Sequence, residues 1–202
     1  MQFSQPMTIA YDLSPDDYRA AIAYRAMLEY YSHNVALVCL DSEESARSFF
    51  GHPPRSALTL LMCHGWGKNE ADAVINLEVQ RSVNRVEYEA AQFPLTTTKL
   101  AEVVDHGSGI FLSTACWSGK AAFARVFLEA GYVAYIAPEK TSDMFSAFQF
   151  VAAFAGTLLH EERDCGAYPV TMRQAYERAR RSDDFWDGAA GFLLFEQGNR
   201  KP

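Results

Sequence analysis

Nowhere in these 202 residues does an apolar run approach the ~18 positions a membrane span needs, so no membrane partner is expected. Basic residues are neither abundant nor clustered. Against 25 Asp and Glu there are 18 Lys and Arg, a formal net charge of −7, and the electrostatic footprint of a nucleic-acid surface is missing. Cysteine is scarce, and Cys39, Cys63, Cys116 and Cys165 form no CxxC pair, which excludes zinc-ligand spacing; no metal is expected. Gly67-Lys68 and Gly119-Lys120 lack both the glycine five residues upstream and the Ser/Thr after the lysine that a phosphate loop requires, and no cofactor is expected. There is no repeat, low-complexity tract or Pro/Gly/Ser-rich linker, so residues 1–202 read as a single domain. Met1–Ala10 has neither the basic flank nor the apolar centre of a secretory leader, from which a cytoplasmic protein with reduced thiols is expected.

What is present is ample apolar surface. Hydrophobic residues make up 49% of the chain and charged residues 21%, so burial can offset chain entropy and global disorder is excluded. Thr8–Leu13 reads as a strand, and Ser14-Pro15-Asp16-Asp17 supplies an N-cap, a first-position proline and first-turn acids for a helix to about Tyr31. Asn34–Leu40 is a continuous apolar run, the mark of a strand buried on both faces, and Ser42-Glu43-Glu44 opens a second helix ending near Gly51. Ala57–Cys63 is a third buried strand that stops at His64-Gly65-Trp66-Gly67. Alternation over Ala73–Val79 and Val83–Tyr88 predicts a hairpin outside the main sheet. Then come a helix (Thr96–Asp105), a buried strand (Gly109–Ala115), a helix (Ser118–Ala130, closed by Gly131) and a strand (Tyr132–Ala137). Helices at Asp143–His160 and Pro169–Arg181 and a strand around Gly191–Phe195 complete the order. This alternation predicts an open α/β/α sandwich with a mainly parallel sheet and a β-hairpin excursion after the third strand.

In open parallel sheets reactive groups gather beyond the carboxyl ends of the strands. His64 directly follows the third strand and Cys116 the fourth, and strands consecutive in the sheet are often neighbours, so a base and a thiol are expected side by side. The imidazole would take the thiol proton, and the helix starting near Ser118 would add positive potential at the sulfur. Gly65 permits a tight turn that aims its N–H into the site, where with the N–H of Cys116 it would form an oxyanion hole. Cys39 and Cys63 fall inside buried strands and are expected to be inert core thiols; Cys165 lies in a loop and receives no role. His106-Gly107 repeats the His-Gly pair but precedes the fourth strand, roughly 20 Å from Cys116. His33, His52 and His160 have no acidic or cysteine partner in a matching position. Phe145, Phe148, Phe150 and Phe154 are expected on the core-facing side of one helix.

The His64-Gly65 turn, the Thr114-Ala115-Cys116-Trp117-Ser118-Gly119 turn and the 52 residues separating histidine from cysteine resemble the caspase-like (clan CD) cysteine peptidases, whose histidine lies ~50 residues before a QACxG-type cysteine. From Gly109 to Arg180 the chain is most similar to the bacterial CHAT-domain branch of that clan. The shared pattern is an alanine-cysteine turn, an aliphatic helix, the strand after Ala130-Gly131, an acidic residue, a phenylalanine-rich helix and the helix containing Ala175–Arg180. The resemblance implies a caspase-like fold over nearly the whole chain and a cysteine endopeptidase acting on protein or peptide substrates. His64 would be the general base, Cys116 the nucleophile, and Gly65 and Cys116 the oxyanion donors.

It also implies a pocket for the P1 side chain walled by the ends of the first, fourth and fifth strands, where this sequence offers Asp12, Thr114 and, beyond Pro138, Glu139 and Asp143. Thr114 stands where caspases carry Gln and metacaspases Asp, and no arginine occupies these stretches to hold an acidic P1 side chain. A carboxylate, Asp143 or Asp12, is expected instead to pair with a basic P1 residue. Each acid also has a local role open to it, Asp12 beginning the next helix beside Ser14 and Asp143 capping the helix after the fifth strand. Two functions of different class fit these features: the endopeptidase, and a catalytically inactive caspase-like domain serving as a protein-binding or scaffold module. A glutaminase-type hydrolase would favour a G-x-C-x-G elbow, which is absent. A peptidase of this kind is expected to be controlled by a separate regulatory protein, by loop ordering or by self-association.

Overall fold

The computed structural model describes residues 6–31, 34–82, 88–160, 170–185 and 191–198. Strand β1 (Met7–Tyr11) runs into helix α1 (Pro15–Tyr31), followed by β2 (Val35–Cys39), α2 (Glu43–Gly51), β3 (Leu58–Met62) and a three-residue β4 (His64–Trp66). Then come β5 (Val74–Ser82), β6 (Tyr88–Leu95), α3 (Thr97–Val103), β7 (Ile110–Ser113), α4 (Ala121–Glu129), β8 (Ala134–Pro138), α5 (Met144–His160), α6 (Met172–Phe185) and β9 (Phe192–Glu196). The main sheet has the order β2-β1-β3-β7-β8-β9, and β4-β5-β6 form a second sheet. The main sheet is parallel except for β9, which pairs antiparallel with β8; both pairings of the second sheet are antiparallel.

The unbroken apolar runs are explained by cover on both faces of the main sheet. Ile9, Leu58, Leu60, Leu112 and Ile136 pack into one core with Ala21, Tyr24 and Leu28 of α1, Phe150 and Phe154 of α5, and Ala175 and Ala179 of α6. The alternate residues Ala10, Leu61, Phe111 and Tyr135 belong to a second core with Phe50 of α2, Leu100 of α3, Phe123 and Phe127 of α4, and Ile75 and Leu77 of β5. Helix starts follow local chemistry. Pro15 begins α1 with Asp16 and Asp17 in its first turn, and Ser42 and Ser45 exchange capping bonds at the start of α2. Among the described residues no helix is long and apolar enough to cross a membrane.

The excursion after β3 is larger than a hairpin, because the His64–Trp66 segment adds a third strand by pairing with β5. Of the hairpin strand expected at Val83–Tyr88, residues 83–87 lie outside the described residues, and the partner of β5 is Tyr88–Leu95. Pro94 interrupts a strand pattern there, and it is accommodated because β6 is an edge strand. The phenylalanine series also divides. Phe150 and Phe154 are fully buried, whereas Phe145 is 61% exposed, since five residues before Phe150 places it about 140° round the helix. Cys165 and His33 lie outside the described residues.

Candidate active site

Strands β3 and β7 are parallel neighbours with Leu61 opposite Ser113, so the chain leaves the sheet at Cys63-His64 and at Thr114–Cys116 on the same edge. His64 and Cys116 line one cavity of about 160 Å³, with Asp17, Thr114, Ser142 and Asp143 also in its wall. That volume is well under the ~300 Å³ at which small-molecule pockets begin, and suits a single side chain. A larger hollow of about 740 Å³ between α4 and β9 is walled by residues such as Arg125, Leu128 and Leu194 and contains neither the thiol nor the imidazole.

His64 opens β4 and so belongs to the second sheet, placed over the main sheet's edge by pairing with Asn76. The glycine that follows is required by proximity. A Cβ on Gly65 would stand 2.3 Å from the Cys116 carbonyl oxygen and 3.1 Å from the Cys116 nitrogen, so the two backbones touch where the oxyanion donors were expected. No left-handed turn occurs at Gly65; the positive φ falls at Gly67.

The turn after Cys116 is built from short bonds. The Ser118 hydroxyl, fully buried, donates to the Ala115 carbonyl at 2.6 Å and lies 3.1 Å from Ser113 Oγ. Ser118 is thus spent on the turn, and α4 begins three residues later, at Ala121, than the sequence pattern suggested. Trp117 adopts φ 63°, strained for a bulky side chain. It is held by the segment after β8: its N–H donates to the Lys140 carbonyl at 3.2 Å and its Nε1–H to Thr141 Oγ1 at 3.1 Å. The same segment engages the thiol. Ser142 N–H donates to Cys116 Sγ at 3.3 Å, and Sγ lies 3.4 Å from the Ser142 carbonyl oxygen.

Asp17, in the first turn of α1, is a close neighbour of His64 that sequence reasoning missed. Its Oδ2 lies 3.5 Å from His64 Nε2, with the imidazole 59% exposed and the carboxyl 11% exposed. That buried oxygen has no hydrogen bond of good geometry. Burial, then the charge of Asp12, pushes the Asp17 carboxyl up to about 7, while His64 pulls the other way. Asp12, one of the two acids expected in the P1 pocket, is fully buried and does not line the cavity. It accepts Ser14 N–H at 2.9 Å and Glu78 N–H at 2.9 Å, joining the end of β1 to β5. The two acids are five residues apart, and only the helical one reaches the cavity.

Asp143 takes the capping role foreseen for it and also stands in the cavity wall. It caps α5 by accepting Ser146 N–H at 2.9 Å and the Ser146 hydroxyl at 2.7 Å, bonds that hold its carboxyl below the usual range. Thr114 is in the wall too, tied to the Leu61 carbonyl through its N–H at 2.9 Å and its hydroxyl at 3.3 Å. Burial pushes the Cys63 thiol far up, consistent with a core residue. Cys39 is only half-buried, because β2 is the edge strand of the main sheet. Among the described residues no cluster of His, Cys, Asp and Glu has the makings of a metal site.

No protein-family model and no curated protein matches this chain. Solved structures of gingipain R do. The complex of the Porphyromonas gingivalis RgpB pro- and mature domains aligns with TM-score 0.60 and 13% identity, over 96% of this chain and 47% of that one. The Arg-specific cysteine proteinase gingipain R (RGPB) aligns with TM-score 0.60 and 10% identity, over 96% and 46%. The chain therefore spans about half the length of the gingipain chains it matches. At these identities the likeness is one of fold, and it gives no support to the CHAT branch in particular: the chain has the caspase-like α/β/α fold of these cysteine proteinases.

Proposed function

We propose that this chain is a cysteine endopeptidase that cleaves protein or peptide substrates after basic residues. The observation that carries the reading is a thiol and an imidazole, from the ends of neighbouring strands, sharing one cavity sized for a side chain. Because Nε2 of His64 faces Asp17, Nδ1 is left to take the Sγ proton. The sulfur adds to the scissile carbonyl, the N–H groups of Gly65 and Cys116 hold the oxyanion, and His64 returns the proton to the departing amine. Water then hydrolyses the thioester, with His64 again as base. Ser142 must first give up its contacts with Sγ.

Two acids in the wall, Asp17 and Asp143, and no arginine there, favour a Lys or Arg side chain at P1. The description of one neighbour as Arg-specific supports the same preference. The other was solved with its pro-domain, which supports control of this chain by a protein partner. A panel of fluorogenic peptides differing only at P1 tests the reading. Hydrolysis after Arg or Lys is expected in the wild type, and none with Cys116→Ala or His64→Ala of native fold. Cleavage only after Asp or apolar residues would overturn the pocket, and activity surviving in either variant would overturn the chemistry. The contacts of both backbone polar groups of Ser142 with the thiol favour the second reading, a scaffold module, which expects no hydrolysis at all.

A further inference from the structure

Large apolar side chains left in water gather at one edge of the fold. Among the described residues six are exposed, and four of them flank the cavity: Tyr18 beside Asp17, Trp66 two residues after His64, Met144 in the wall and Phe145 next to it. Trp66 stands apart from the other three. The cavity lies on the face of the main sheet covered by α1 and α5, since Tyr24, Met62 and Ala147 in its wall belong to that core. Strand β4 leads the other way, because its partner β5 sends Ile75 and Leu77 into the opposite core. His64 and Trp66 are two residues apart on β4, so both project from one face of the strand, about 7 Å apart, and both are exposed, while Gly65 between them meets Cys116. Among the described residues the Trp66 indole takes part in no hydrogen bond, aromatic pair or cation–π pair. Trp117, by contrast, is tied to Thr141 through Nε1 and has Lys120 over its ring. Trp66 is 49% exposed, a large apolar face with a free donor, the kind of side chain that serves at binding surfaces.

We propose that Trp66 is the subsite for the leaving-group side of the substrate, where it takes a large apolar side chain at one of the two positions after the scissile bond. The inference deepens the peptidase reading and rests on it for the direction of the peptide. With the P1 side chain in the cavity, the scissile carbonyl stands at Cys116 and the departing amine at His64, which must reach it to return the proton. The chain beyond that amine leaves the imidazole on the side away from the cavity, along β4. An extended peptide covers about 7 Å in two residues, the spacing of His64 and Trp66, and its side chains alternate, so one of the two meets the indole. The substrate class is accordingly a segment with a basic residue followed, within two positions, by a large apolar one.

The test uses internally quenched peptides with arginine at P1 and Phe, Leu, Ser or Lys at each of the two following positions, beside a peptidyl-arginine coumarin amide that has no residue there. Wild type should cleave the better Phe or Leu peptide with a kcat/KM about 10-fold above that of its Ser counterpart, the discrimination one apolar contact gives. The ring is half in water, so Trp66→Ala should keep the fold. It should bring the Phe-to-Ser ratio to within about twofold and lower the rate on the Phe peptide relative to the coumarin amide by the same factor, while Trp66→Phe keeps most of both. A wild type without the preference, a ratio unchanged in Trp66→Ala, an equal loss on both kinds of substrate, or a preference for Lys overturns the subsite. Binding is read separately, by fluorescence anisotropy of the labelled peptides with Cys116→Ala, which leaves them intact. The Phe peptide should bind about 10-fold more tightly than the Ser peptide, and adding Trp66→Ala should remove the difference. That binding result in a chain whose wild type cleaves no peptide supports the subsite and defeats the peptidase reading; equal binding of the two peptides overturns the subsite whether or not either is cleaved.

Discussion

A single methyl group at Gly65 is enough to displace the two touching backbones, since it would stand 2.3 Å from the Cys116 carbonyl oxygen, with no flexible side chain to yield. Gly65→Ala should fold yet lose about 10²-fold in kcat/KM, the cost of misplacing reacting groups by ~1 Å; an unimpaired variant would show that the contact does not set the site. Asp17 makes a prediction of opposite kind. Folding lifts its carboxyl from 3.8 to about 7, so between those values the folded chain holds more proton than the unfolded one, and stability falls as pH rises through them. At pH 8 the burden is on the order of 4 kcal/mol before relaxation, and at pH 4 it is nearly absent. Asp17→Asn should accordingly be more stable than wild type in denaturant titrations at pH 8 and equal to it at pH 4; the same difference at both would contradict the account. That His64 and Cys116 share one edge of the sheet was legible in the sequence because the buried apolar runs end just before each. Asp17 was not, since an acid in the first turn of a helix already has a sufficient local reason to be there. The choice between Asp12 and Asp17 for the cavity depends on how α1 docks, which no local pattern encodes.

At the scale of elements, the segment after β8 stands against the thiol. Thr141 holds the Trp117 ring through Nε1, and Ser142, one residue on, engages Sγ. Thr141→Val keeps the shape and removes that bond. It should raise the iodoacetamide alkylation rate of Cys116 several-fold relative to Cys63, measured by peptide mapping, and an unchanged rate would mean that the segment does not shield the sulfur. The strands were readable because cover on both faces demands uninterrupted apolar runs. The start of α4 was less so. Ser118 has the chemistry of an N-cap but is consumed by the turn, and Lys120, which stands at the cap, makes no side-chain capping bond. Neither β4 nor the strain at Trp117 left a signature, because three residues are too few for periodicity and φ at a tryptophan is imposed by tertiary contacts.

For the whole molecule, the two cores hold β3 and β7 side by side and place a second sheet over their ends, so that residues 52 positions apart meet at one cavity. The alternation of strands and helices foretold this architecture, and the gingipain structures share it at 10% and 13% identity. The central claim is that Cys116 is a nucleophile served by His64 in a cavity that takes a basic side chain. It is tested most directly by incubating the native protein with a peptidyl electrophile bearing arginine at P1 and mapping the modified residue by mass spectrometry. The account predicts modification of Cys116, ahead of Cys39, Cys63 and Cys165, with loss of the label in His64→Ala; an unmodified Cys116, or equal labelling without His64, would contradict it.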